Sequence, residues 1–264
     1  MKGLWTYIRL TQSKAWIWQC LAIALVAVLL FLPLLNGGLC LFSTDNNIGD
    51  TARTKAFFPH GFLGIWGDSV LLGSAGVAGG NWLTAMMWLM PLRGYVNWFH
   101  AVDLGLAALG LTWFLRLKRC SWLACMPAWL AAFWVGSNFT LVYAGHIGKY
   151  GVLLFAVLAL GCIEKAFQTR RIAWGVLTGG ALGLMLLEQP DLAMFFGLAI
   201  AGYGLFSLLV RAKDARIWKF ACLLLPAMAL PLLLIAGQSL VGSYTANVSA
   251  VSYTHLTLPT KRIV

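Results

Sequence analysis

The sequence predicts an all-α, polytopic helical membrane protein with about seven transmembrane helices and a large first extracytoplasmic loop. Of its 264 residues, 61% are hydrophobic and only 10% are charged, whereas about a quarter of the residues in soluble domains are charged. The apolar residues form runs of about 20, which suits helices that cross a bilayer. A β-barrel would instead show alternating segments of about ten residues. No segment is left for a soluble domain.

The spans are predicted from these runs in chain order. Asn81–Met90 is apolar but too short to cross, and Pro91 follows it, so we expect an interfacial or re-entrant helix there. The predicted spans are about 15–35, 95–115, 122–142, 150–167, 172–187, 192–210 and 220–241.

The formal net charge of +11 does not predict a nucleic-acid partner. The basic residues lie in small groups between apolar runs, as the positive-inside rule expects, and they form no basic face. Lys2, Arg9 and Lys14 precede the first span, which predicts a cytoplasmic N-terminus. Most acidic residues then fall in the external segments, so any chemistry is expected on the outer face. Membrane lipids are the expected surroundings.

The last segment, residues 251–264, differs from the rest of the chain. VSYTHLTLPTKRIV is polar, β-prone and without helical periodicity. It resembles a translated sequencing-adapter tail, so we expect residues 1–250 to be the native transmembrane part of a truncated sequence. The six cysteines form no CxxC and lie mostly within or beside apolar runs, which favours small buried residues over a metal site.

The first external loop holds the candidate catalytic acids, Asp45 and Asp50, in the segment TDNNIGD. A carboxylate docked over the bundle could act as a general base toward an acceptor hydroxyl, or bind a metal. An ordinary solvated loop with turn-forming Asp, Asn and Gly accounts for the same residues.

Cations that could bind a phosphate lie in two external segments. Arg53, Lys55 and His60 follow the acids in the first loop, and His146 and Lys149 lie in the glycine-flanked link GHIGK. Arg and Lys supply charge-assisted donors to phosphate oxygens. Charge balance against the neighbouring aspartates, and a tight turn with a snorkelling lysine, are the simpler alternatives.

Four further residues could line a cavity within the bundle. His100 and Asp103 are three apart in the second span and so share a helix face, and Glu188 and Asp191 flank Pro190 at an external turn. Ionisable residues inside a membrane are candidates for a functional site. Hydrogen bonds that hold helices together are the alternative for the first pair, and exposed turn residues are the alternative for the second.

Five segments together resemble a known family: STDNNIGD, PHGFLGIW, NWLTAMMWLMP, AGHIGKYG and EQPD. Over residues 1–250 the chain looks like bacterial YfhO-like membrane proteins of the GT-C glycosyltransferase superfamily. The resemblance implies an enzyme of the bacterial inner membrane that uses a polyprenyl-phosphate-linked sugar at an extracytoplasmic site. It implies that Asp45, with Asp50 as competitor, is the essential acid, and that His146 and Lys149 contact the donor phosphate.

The first loop departs from the family in lacking two adjacent acids, which leaves the catalytic residue and a divalent metal open. A transporter or flippase, in which His100, Asp103 and Glu188 line a pathway, is the first alternative. A non-catalytic membrane scaffold is the second.

Overall fold

The computed structural model describes residues 2–41, 47–62 and 80–260, with side chains described for residues 14–237 of these ranges. The described residues form helices joined by turns and contain no strand, in agreement with the predicted all-α class. The helices are α1 (Lys2–Leu30), α2 (Ile48–Ala56), α3 (Trp82–Leu89), α4 (Leu92–Leu117), α5 (Trp122–Phe133), α6 (Gly136–Ala144), α7 (Gly148–Thr169), α8 (Ile172–Glu188), α9 (Pro190–Val210) and α10 (Ala215–Thr260), with 3-10 turns at Leu32–Leu35 and His60–Phe62.

Among the described residues, four helices are long and apolar enough to cross a membrane, or five spans if the bent pair α5–α6 is counted as one, as is typical of a multi-pass membrane protein. The four helices are Leu92–Leu117, Gly148–Thr169, Pro190–Val210 and Ala215–Gly237. They correspond to four of the seven predicted spans. The remaining three predicted spans have a different form.

The predicted first span ends early, and the predicted third span is broken. α1 stops at Leu30, and the following 3-10 turn contains Pro33, which has no N–H to continue a helix. α5 and α6 meet at a bend of 41°. At this break the Asn138 side chain donates to the Phe133 carbonyl at 2.8 Å, so a carbonyl freed by the bend is satisfied. The predicted fifth span is α8, which has 17 residues.

The helix α10 extends beyond the predicted end of the last span. It continues to Thr260, so most of the segment 251–264 is helical rather than extended. Adding a residue to an existing helix fixes one residue for one hydrogen bond, so extension needs less favourable local sequence than nucleation does.

The helix α7 lies at the centre of the bundle, between α4 and α8. Its most apolar stretch is 78% buried, against 22% for α9 and 17% for α10. On the far side of α8, Gly175, Gly179 and Gly183 face α10, and a Cβ at Gly179 would lie 2.0 Å from the Met228 carbonyl oxygen. The three glycines therefore form a helix-packing surface against α10.

The bundle has two chemically different ends. The loop end is formed by α2, α3, the α6–α7 link (residues 145–147) and the junction of α8 with α9 (residues 188–190). The Glu164 end is formed by the last turns of α4 and α7 and by the link between α9 and α10 (residues 211–214). Those predicted external site residues that the structure describes lie at the loop end, where α4 and α7 both begin.

Candidate functional site at the loop end

The short helix α3 forms the centre of the loop end. Asn81 caps it through a reciprocal pair of hydrogen bonds, in which the Thr84 N–H donates to Asn81 Oδ1 at 2.8 Å and the Asn81 N–H donates to Thr84 Oγ1 at 3.1 Å. Leu83, Met86 and Met87 are buried against the bundle. The sequence prediction of a short helix over Asn81–Met90 is therefore confirmed, with α3 resting on the bundle.

Glu188 binds the N-terminus of α3 from the end of α8. Its Oε1 accepts hydrogen bonds from the backbone N–H groups of Trp82 at 2.8 Å and Leu83 at 3.2 Å. A carboxylate at this position interacts favourably with the helix dipole. Burial raises the pKa of the Glu188 carboxyl to about 7, and the Leu83 N–H opposes this rise.

Two glycines of the first turn of α7 make room for Glu188. A Cβ at Gly151 would lie 2.7 Å from Glu188 Cγ, and a Cβ at Gly148 would lie 2.6 Å from the Glu188 carbonyl oxygen. Glu188 therefore lies beside the N-terminal turns of both α3 and α7. The glycine-flanked link that suggested close approach of a phosphate is also required for this packing.

Asp103 binds the side chain of the same α3 residue. The Trp82 indole Nε1–H donates to Asp103 Oδ1 at 2.8 Å. Asp103 is fully buried, and its Oδ2 has no hydrogen-bond partner among the described residues. Trp82 thus connects both buried acids to α3.

His100 is also fully buried, but it packs as an aromatic ring. Its ring centroid lies 4.6 Å from that of Phe31, 5.3 Å from Phe99 and 6.1 Å from Tyr150. Neither ring nitrogen has a hydrogen-bond partner in the described part of the chain. The shared helix face of His100 and Asp103 does not lead to a hydrogen bond between them.

Lys55 binds the opposite end of α3. Its ammonium group donates to the carbonyl oxygens of Met87 at 2.5 Å, Trp88 at 3.0 Å and Met90 at 2.8 Å. A cation at a helix C-terminus complements the dipole. Lys55, which is predicted to contact a phosphate, therefore also connects α2 to α3 through these hydrogen bonds.

Other predicted residues of the first loop are exposed. Asp50, in the first turn of α2, accepts a hydrogen bond from the Asn47 side chain at 2.6 Å and lies 3.6 Å from the Arg53 guanidinium. His60 is exposed in the second 3-10 turn. Asp45 lies outside the described residues, so its role stays a prediction.

The α6–α7 link lies next to α2. Gly145 ends α6 with φ of 86°, a conformation that favours glycine. His146 after it is exposed, and Lys149 is half-buried in the first turn of α7. Thr51 of α2 and Ile147 of the link line one small cavity. The structure thus brings the segment of Asp50 and Arg53 beside the segment of His146 and Lys149.

Asp191 lies away from this arrangement. It is exposed in the first turn of α9, and its Oδ2 accepts a hydrogen bond from the Gln189 side chain at 3.3 Å. Of the four predicted cavity residues, Asp103 and Glu188 both bind Trp82, whereas His100 and Asp191 make other contacts.

A metal site at the loop end stays a prediction. Within residues 2–41, 47–62 and 80–260, no three or more His, Cys, Asp or Glu side chains are grouped to hold a metal ion. Asp45, a candidate ligand, is not among these residues.

An apolar groove of about 370 Å³ lies beside Trp82, between α1, α3, α4 and α7. Besides Trp82, its lining includes Trp16, Trp113 and Phe155. The groove therefore extends from the α3 residue that binds both buried acids toward tryptophans near the Glu164 end.

Sequence analysis missed three residues that organise the polar interior. Trp82 and Tyr95 look like ordinary interfacial aromatics, but Trp82 binds both acids and the Tyr95 hydroxyl is buried without a hydrogen-bond partner among the described residues. Glu164 lies in the predicted span 150–167 and is not among the candidate site residues. A single acid inside a predicted span, followed by basic residues, is a signal that could have identified it.

No protein-family model, curated protein or solved structure matches this chain. The resemblance to YfhO-like proteins therefore stays a prediction. A functional proposal has to be supported by the chemistry of the loop end.

Proposed function

We propose that this protein is a membrane glycosyltransferase that moves a sugar from a polyprenyl-phosphate donor to an acceptor at the loop end. The observation that supports this most is the packing of α2 beside the α6–α7 link, where Thr51 and Ile147 line one cavity. The helix that carries Asp50 and Arg53 therefore packs beside the link that leads to Lys149, which supports a shared site. The loop end is then extracytoplasmic, in a bacterial inner membrane with the N-terminus inside.

The reaction requires a base and a stabiliser of the leaving group. The acceptor oxygen attacks the anomeric carbon of the sugar while its proton passes to Asp45 or Asp50. The bond from the anomeric carbon to the donor phosphate breaks, and polyprenyl phosphate leaves with the electron pair. Arg53, His146 and Lys149 stabilise the phosphate charge that develops. Lys55 contributes only if its ammonium group turns away from α3.

The apolar groove supports a lipid-linked donor. Trp82 forms part of its wall and also belongs to the loop end. An apolar chain in the groove would lie near the bilayer-facing helices while its phosphate stays near the cations. The nonpolar lining favours burial of hydrocarbon over binding of a polar substrate.

The proposal is tested by sugar transfer in proteoliposomes that contain a polyprenyl-phosphate-linked sugar. Asp45→Asn and Asp50→Asn are compared with the unchanged protein, and one of them is expected to lower transfer at least 100-fold. Arg171→Gln, an exposed change at the Glu164 end, serves as control and keeps full transfer. Full activity in both aspartate variants would contradict the proposed base.

The alternatives give different results in the same membranes. A transporter or flippase would move substrate across the bilayer without forming a new glycosidic bond, and its activity would depend on Asp103 and Glu188 before the loop acids. A scaffold would tolerate replacement of all of these residues as long as it still folds. Bond formation and substrate movement are therefore measured in parallel.

A further inference from the structure

The two acids under α3, the fully buried Asp103 and the half-buried Glu188, have no basic partner among the described residues. Asp103 is fully buried on α4, and Glu188 ends α8. Neither forms an ion pair with a basic side chain of the described residues. Asp103 Oδ2 and Glu188 Oε2 are buried without a hydrogen-bond partner in the same part of the chain. Two ionised carboxylates in these surroundings would repel each other and lose their hydration.

A third polar atom belongs to the same place. Tyr95 is 1% exposed, and its buried hydroxyl lacks a hydrogen-bond partner among the described residues. It interacts electrostatically with both Asp103 and Glu188. A phenol can accept a hydrogen bond from a protonated carboxyl group and donate one to an ionised one. Tyr95 therefore suits a pair of acids that carries one proton.

We propose that Asp103 and Glu188 share one exchangeable proton that rests mainly on Asp103 Oδ2, so that the loop end contains a proton-binding site. The two acids have unequal surroundings. Glu188 accepts two backbone N–H groups at the N-terminus of α3 and lies against the first turn of α7, which favours its charge. Within the described part of the chain, Asp103 accepts a hydrogen bond only from the Trp82 indole N–H. The shared proton therefore belongs on Asp103.

A proton fits this site better than a metal ion. The described residues contain no group of three or more metal-ligating side chains. A proton on one carboxyl oxygen needs no further ligand, so the site can hold it without rearrangement of α3.

The neighbouring titratable groups do not neutralise the pair. His100 packs among aromatic rings, and the Tyr150 hydroxyl donates to the Asn138 carbonyl at 2.7 Å. Lys55 is bound to carbonyl oxygens at the far end of α3. Lys149 on α7 and Asp191 on α9 form no hydrogen bond or ion pair with either carboxyl group.

The proton-binding site is coupled to α3 through Trp82. Loss of the proton places a second negative charge beside Glu188, and no basic side chain of the described residues forms an ion pair with either acid. Water can reach this charge when α3 detaches from the bundle. We therefore expect α3 to detach more often as the pH rises. This inference does not depend on sugar transfer, and it would equally serve transport coupled to protons.

Infrared spectroscopy of the protein in liposomes tests the proton directly. We expect the carbonyl band of a protonated, buried carboxyl group at neutral pH. Asp103→Asn keeps an acceptor for the indole and removes this band, whereas Asp214→Asn, at the Glu164 end, keeps it. Absence of the band from the unchanged protein, or its persistence in Asp103→Asn, overturns the proposal. The first of these outcomes is measured on the unchanged protein, so it does not depend on whether a variant folds.

Two more measurements distinguish a bound proton from a bound metal cation and test the coupling to α3. Replacing potassium by sodium leaves the band unchanged if the ligand is a proton, whereas loss of the band in sodium indicates a metal-cation site and overturns the proposal. Backbone hydrogen exchange of α3, corrected for the chemical exchange rate, should accelerate with pH in the unchanged protein but not in Asp103→Asn. Equal pH dependence in both contradicts the coupling. None of these readouts uses transfer activity.

Discussion

The two ends of the bundle each bury acidic side chains, but among the described residues these acids form ion pairs with cations at one end only. Glu164, at 2% side-chain exposure, lies 2.9 Å from the Arg211 guanidinium and 3.6 Å from the Lys118 ammonium. It also accepts hydrogen bonds from Tyr203 at 2.6 Å and Gln168 at 2.9 Å. At the loop end, Asp103 and Glu188 accept N–H groups alone and keep unpaired oxygens.

This difference separates a structural acid from one that is available for chemistry. A buried charged group that is already fully hydrogen-bonded and paired with opposite charges has no free position at which to bind a ligand. Polar atoms buried without partners are destabilising, and they mark functional sites more often than structural ones. The Glu164 end should therefore fix the bundle, whereas the loop end should respond to ligands and to pH.

The largest expected effect is at the Glu164 end. Glu164→Ala leaves Arg211 and Lys118 without their shared carboxylate and should lower the free energy of unfolding by about 3 kcal/mol. This estimate is at the low end for buried pairs because Arg211 and Lys118 are 29% and 40% exposed. Denaturant unfolding in detergent micelles measures it, with Arg171→Ala as control. A loss no greater than that of the control would contradict the structural role.

The next effect concerns α8, which connects the two ends. Gly179→Ala places a methyl group against the Met228 carbonyl of α10 and should destabilise the protein by about 2 kcal/mol through overpacking. Gly180→Ala is a matched control, since a Cβ there meets nothing within 4 Å. Thermal unfolding of the two variants in the same detergent gives the comparison. Equal unfolding temperatures would show that α8 and α10 do not pack this closely.

A smaller effect is the opposite response of the two ends to pH. Burial raises the pKa of Glu188 from an ordinary 4.5 to about 7, so the stability that its share of the bound proton contributes is complete below about 4.5 and is lost as the pH rises through about 7. Glu188→Gln should remove its share of this decline. Unfolding measured across this pH range in both proteins tests the prediction, and parallel curves would refute it.

The Glu164 end should respond in the other direction. The Arg170 guanidinium, hydrogen-bonded to Asp214, holds the pKa of that carboxyl below its ordinary value. The contribution of Asp214 is therefore present above that ordinary value and lost as the pH falls through the lowered one. Asp214→Asn is expected to weaken only the acid side of the stability curve, whereas a change on the alkaline side would contradict the separation of the two ends.

The sequence predicted the parts of this fold that depend on local composition. Long apolar runs identified α4, α7, α9 and α10, and Asn81 followed by a short apolar run identified α3. The break between α5 and α6 was missed because a hydropathy pattern averages over a bend that Asn138 stabilises. The end of α1 before Pro33 was missed because the apolar run continues past it.

For the candidate site, the sequence predicted which types of residue take part but not which residues contact one another. Asp103 and Glu188 were identified as possible cavity residues because ionisable groups are rare in such a chain. Their common partner, Trp82, could not be identified, because it lies 21 positions from Asp103 and 106 from Glu188. Lys55 was interpreted as a phosphate contact because a sequence does not reveal which carbonyl groups a folded neighbour presents.

The smallest effect on stability is expected for replacement of Arg53, although the same replacement should clearly lower sugar transfer. Arg53 forms an exposed pair with Asp50, with side chains 49% and 50% exposed, so Arg53→Ala should change the free energy of unfolding by less than about 0.5 kcal/mol. If Arg53 contacts the donor phosphate, the same change should lower sugar transfer at least tenfold. Arg171→Ala removes an exposed cation from the other end and should leave transfer intact. Because folding is nearly unaffected in both variants, equal transfer rates would exclude Arg53 from the donor site and leave His146 and Lys149 as its cations.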